Sequence, residues 1–121
     1  MSAVISSFAR TLKPRNSVWG LVQQATEHAP GMWFVSTASH GGFMLSDERF
    51  QAMHPAFRCN TYGGMRNFEE DCEVSLVIAA FPECFTAEQV EQAKATIAYL
   101  ADGDAGYRRA HAHILHLENA K

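Results

Sequence analysis

The sequence predicts an α+β domain: a small antiparallel sheet of about three strands, within residues 22–45, packed against three or four helices. Three observations carry that prediction. The front of the chain holds a turn, Ala29-Pro30-Gly31-Met32, followed by an aromatic, β-branched run that suits a strand. The back holds a helix-start signature, Thr86 with Gln89, ahead of a helical apolar stripe. Strand and helix signals are thus segregated along the chain, as in α+β rather than alternating α/β folds. At 121 residues, 47% of them hydrophobic, the chain suffices for one domain with a real core.

Residues 1–15 are expected to form a flexible arm or a short helix, with residues 16–121 as a single domain. The start, MSAVISSFARTLKPR, lacks the apolar stretch and cleavage site of a secretory signal. Its Ser and Arg content and lack of acids faintly resemble a transit peptide, and an arm or first helix is the preferred reading. Residues 16–28 fit either state, because Val18, Leu21, Val22 and Ala25 keep helical spacing. The turn favours a hairpin of 22–28 with 31–37, Pro30 supplying the fixed φ and Gly31 the positive one. Ser39-His40-Gly41-Gly42 makes a second turn, and Phe43-Met44-Leu45 returns as the third strand.

Ser46 can cap a helix whose first turn holds Asp47 and Glu48, and His54-Pro55 ends it after about two turns. Residues 56–66, with Tyr62-Gly63-Gly64, read as a loop. Asn67 with Glu70 has capping-box spacing before Phe68–Ala80, which favours a buried helix ending at Pro82. The apolar part of that segment, Val74 to Phe81, would also suit a buried strand. Val90, Ala93, Ile97, Leu100 and Ala101 form the stripe of a helix ending at Asp102-Gly103. Asp104 can cap a last helix in which Tyr107, Ala110, Ile114 and Leu117 share a face.

Composition narrows the function classes. No apolar run approaches the roughly 20 residues of a transmembrane helix. Cys59, Cys72 and Cys84 are odd in number and form no CxxC pair, so they read as reduced, partly buried thiols of a cytoplasmic protein. Net charge is −3 but unevenly placed. Residues 1–26 carry Arg10, Lys13 and Arg15 and no acid, whereas residues 67–104 carry nine acids against one base, Lys94. Phosphate contacts need a basic surface, so direct nucleic-acid binding by the acidic half is not expected.

Three constellations could carry chemistry. His40 before Gly41-Gly42 sits where the backbone turns and its amides are uncovered, which can place an imidazole for proton transfer or merely close a hairpin. Glu69-Glu70-Asp71 could raise one another's pKa or hold a hard cation, or simply serve a first helical turn. His111, His113 and His116 invite a metal reading, but helical spacing turns His111 away from the other two. No metal or cofactor is assigned on these grounds.

The stretch from Pro30 to Ser46, with Ser39-His40-Gly41-Gly42 at its centre, resembles a family of small uncharacterised bacterial domains. Phe68-Glu69-Glu70-Asp71-Cys72-Glu73 and Ala79-Ala80-Phe81-Pro82 extend the resemblance over about residues 17–85. It transfers no activity. It implies a setting on plasmids, phages and other mobile elements of proteobacteria, where small acidic proteins often antagonise host defence by covering a surface that binds nucleic acid. It also implies that Ser39, His40, Glu69, Glu70 and Asp71 form one centre.

The expectation is therefore a non-enzymatic accessory protein that binds a protein partner with a basic surface. Ser39, His40, Glu69, Glu73, Glu88 and Glu91 are the candidate binding residues. The alternative is a small hydrolytic or metal-assisted enzyme in which His40 works with Glu69, Glu70 and Asp71.

Overall fold

A computed structural model describes residues 8–59, 61 and 65–120. The fold is α+β. A two-stranded ribbon, β1 (Asn16–Ser17) with β2 (Gly20–Leu21), precedes an antiparallel sheet in the order β3 (Gln24–Ala29), β4 (Met32–Ser36), β5 (Gly41–Leu45), β6 (Asn67–Glu69). Among the described residues four α-helices complete the fold: α1 (Asp47–Ala52), α2 (Val74–Ala80), α3 (Ala87–Leu100) and α4 (Ala105–Asn119). None of the described helices is long and apolar enough to cross a membrane.

Residues 16–28 hold no helix: they comprise β1, β2 and most of β3, with a turn at 18–19 and a break at 22–23. Gly31 takes φ 78° in the β3–β4 turn, and a bulge between Glu27 and Ala29 turns His28 onto Phe85, ring centroids 4.5 Å apart. Ser46 caps α1 by accepting the Arg49 amide, Thr86 and Gln89 form both bonds of their capping box, and Asp104 accepts the Gly106 and Tyr107 amides.

Among the described residues the sheet has four strands rather than about three, and the fourth corrects the reading of residues 67–73. Asn67 and Glu70 form no capping box; Asn67–Glu69 is β6, and α2 starts at Val74 behind Glu73, which gives no side-chain cap. A capping box contributes about 1 kcal/mol. Against it stand the ladder to β5 and Phe68, paired opposite Phe43 and fully buried. Burying a phenylalanine stabilises by roughly 1.5–3 kcal/mol, so the strand wins. The expected 56–66 loop contains a 3₁₀ turn, Pro55–Phe57, and its Tyr62-Gly63-Gly64 lies outside the described residues.

The core lies between one sheet face and the helices, around Phe43, Phe68, Leu76, Ile97 and Ile114. α2 packs on α3, α3 on α4, and α4 on the Pro55–Phe57 turn. Of the predicted arm, residues 1–7 lie outside the described residues, and 8–15 carry neither helix nor strand. Phe8 meets Phe81 edge-on at 6.0 Å, Arg10 pairs with Glu27, and the Thr11 hydroxyl accepts the Trp33 indole N–H at 3.1 Å.

Candidate functional site

The sheet register builds the site. Gly42 lies opposite Glu69 across β5 and β6. His40 is two residues before Gly42 and so projects to the same side of the sheet. The result is a contact of 2.6 Å between His40 Nδ1 and Glu69 Oε2, with the side chains 40% and 21% exposed.

The turn before β5 holds the imidazole in place. The Thr37 amide and hydroxyl both donate to the His40 carbonyl at 2.8 Å, and the His40 amide donates back to Thr37 Oγ1 at 3.1 Å. Ser39 is exposed and joins the turn through its amide. The two glycines follow from crowding: a Cβ on Gly41 would come within 2.7 Å of the Val35 carbonyl oxygen, and one on Gly42 would overlap the Phe68 carbonyl.

The acids that adjoin one another in sequence part in space. Glu69 reaches His40, and its own amide donates to Glu73 Oε1 at 2.9 Å. The Glu70 amide donates to the Gly41 carbonyl, and its carboxylate lies over Gly41. Asp71 adopts φ 78°, a left-handed conformation that Asp tolerates better than most residues, and reverses the chain into α2. Asp71 lines a cleft of about 400 Å³ between α2 and α3, which Glu88 of α3 lines as well. Ser75, Gln89, Gln92 and Thr96 supply polar lining, and Val74, Ile78 and Ala93 the apolar part. Glu91 lies 3.7 Å from Lys94, which also holds Glu118 at 3.0 Å.

The histidines of α4 separate as helical spacing requires. His113 stacks on His54 at 3.7 Å between ring centroids, with His116 at 6.4 Å, while the half-buried His111 has its Nδ1 unbonded among the described residues. Burial, His54 and His116 together hold the His113 imidazole below its ordinary pKa. Among the described residues no group of three or more His, Cys, Asp and Glu side chains is arranged to hold a metal ion. Burial pushes the Cys59 and Cys84 thiols up, which disfavours the reactive thiolate, whereas Cys72, expected to be partly buried, is exposed.

Arg49 carried no signal in the sequence beyond its place in the last turn of a short helix. It is 3% exposed, donates from Nε to the Pro30 carbonyl at 2.8 Å, and lies over the rings of Phe8 and Phe81. It pins Phe8 to the domain.

Fold and site together define a small α+β domain in which a histidine–carboxylate pair sits on the sheet and an acid-walled cleft sits between two helices. The chain belongs to the family described as Domain of unknown function (DUF7007), whose profile matches residues 12–116. The expectation over residues 17–85 is an uncharacterised family; the match is to an uncharacterised family and takes in α3 and most of α4 as well. No curated protein and no solved structure gives a match.

Proposed function

We propose that this domain is a non-enzymatic binding module that docks a protein partner with a basic surface through the cleft between α2 and α3. The observation that carries this reading is that Asp71 and Glu88 both line one cleft. Neither carboxylate makes an ion pair with a described residue, so both are available to an incoming cation. The lining suits a lysine or arginine, since Val74, Ile78 and Ala93 offer apolar surface to its methylene stem. Glu69, Glu73 and Glu91 already have partners and play a supporting part. A host-defence complex, whose nucleic-acid surface is basic, is the partner favoured by the mobile-element setting that the family resemblance implies.

The test is association kinetics against the partner captured from the native host. Screening shortens from about 10 Å at 0.1 M salt to about 3 Å at 1 M, so the association rate should fall steeply with salt. Asp71→Lys with Glu88→Lys should lower it about tenfold or more at low salt, with the fold intact. A rate indifferent both to salt and to the double reversal would sink the proposal.

The 2.6 Å contact of His40 with Glu69 favours a second reading, a small hydrolytic enzyme in which the carboxylate orients the imidazole as a base. His40→Asn separates the two. If the variant folds and binds the partner normally yet loses all biological effect, the enzyme reading replaces the first.

A further inference from the structure

The edge of the sheet opposite β6 presents a second surface, of opposite charge. Among the described residues β3 pairs with β4 on one side and with no strand on the other, so one row of its backbone N–H and C=O groups lacks a described strand partner. The bulge falls between Glu27 and Ala29, which leaves Gln24–Glu27 as the regular part of that edge. Beside it runs a groove of about 660 Å³ walled by Lys13 and Arg15. Val22, Gln23, Gln24 and Ala25 all line it. Gln24 and Ala25 belong to β3 and the two before them lead into it; successive strand side chains point to opposite faces, so a groove touching both strand residues reaches the start of the strand's edge.

The chemistry of the groove is one-sided. None of its lining residues is acidic, and neither Lys13 nor Arg15 makes an ion pair with a described residue. Arg10, by contrast, is occupied by Glu27 at 2.5 Å. Leu12 and Leu21 stand 94% and 70% exposed on the same walls, far beyond what a core residue shows.

We infer that this groove accepts an extended, acidic segment of a partner protein, which adds as a strand along β3. Its backbone would pair with the open edge, its carboxylates would meet Lys13 and Arg15, and its apolar side chains would cover Leu12 and Leu21. Two cations are few for a nucleic-acid backbone, where specific proteins make roughly 6–10 phosphate contacts. An open strand edge offers neither a phosphate chain nor a lipid surface anything that a peptide would not use better. The inference is independent of the acid-walled cleft.

The probe is a fluorescein-labelled peptide of alternating Glu and Val, titrated with the full chain at low salt and followed by anisotropy. Lys13→Glu with Arg15→Glu should weaken binding about tenfold or more while the circular dichroism spectrum stays unchanged, because both side chains are exposed. N-methylation of the peptide at alternate residues should abolish binding when it blocks the edge that pairs with β3. The same number of methyl groups on the other edge should leave binding intact. Equal binding of both methylated forms, or no effect of the double reversal, would overturn the inference. Tighter binding of phosphatidylserine vesicles or of oligothymidylate than of the peptide, lost in the same variant, would overturn it too.

Discussion

At Gly42 one methyl group decides whether the sheet closes. A Cβ there would overlap the Phe68 carbonyl, and φ 156° is a conformation that L side chains rarely adopt. Gly42→Ala should therefore cost about 2–4 kcal/mol in a denaturant melt and part His40 from Glu69. Gly103→Ala, where an added Cβ meets nothing, is the control and should stay within about 0.5 kcal/mol. His40→Asn removes the partly exposed contact with Glu69 and should cost about 1 kcal/mol. His113 gives a pH dependence of definite sign. Its folded pKa lies below the ordinary 6.5, so between those two values the unfolded chain binds the proton more readily. Stability should be full above about pH 6.5 and decline as pH falls through that window toward the lower, folded pKa. Melting temperature measured across pH 5–8 checks this, and His113→Gln should flatten the decline. A rise in stability on acidification over that range would contradict the packing of His113 against His54.

The same capping signature occurs at two places along the chain and has two outcomes. At Thr86 and Gln89 both bonds form and α3 begins where the signature puts it. Thr86→Ala should cost about 1 kcal/mol in a urea melt. At Asn67 and Glu70 the signature is overruled by the β5–β6 ladder, and Glu70 contributes its backbone rather than a cap. Glu70→Ala should accordingly stay within about 0.5 kcal/mol, where a working capping box would show the loss expected at Thr86. Matching losses at the two sites would mean that residues 67–70 start a helix after all.

Phe68 links the sheet to the helical layer, since it pairs opposite Phe43 and belongs to the same core cluster as Leu76 and Ile97. Phe68→Ala should cost about 3–5 kcal/mol. That is a large share of the roughly 5–15 kcal/mol that holds a domain folded, so the variant should melt far below the parent by calorimetry. Charge is organised on the same scale. Lys13 and Arg15 line a groove with Gln24 and Ala25 of β3, while Asp71 and Glu88 line the cleft between α2 and α3. A net charge of −3 therefore describes neither surface.

The sequence by itself determined the features whose partners lie a few residues away: the Pro30-Gly31 turn, the caps of Ser46, Thr86 and Asp104, and the stripes of α3 and α4. Helix hydrogen bonds and turn conformations are local, so the residues that make them also announce them. Tertiary structure alone decided that Asn67–Glu69 is a strand, that Glu69 rather than Asp71 meets His40, and that Arg49 lies buried between Phe8 and Phe81. A strand's hydrogen bonds go to a chain segment remote in sequence, and β6 is too short for its own side-chain alternation to declare it. Register then did what no local pattern could. It placed Glu69 opposite Gly42, two residues from His40, and turned the next carboxylates away along the chain.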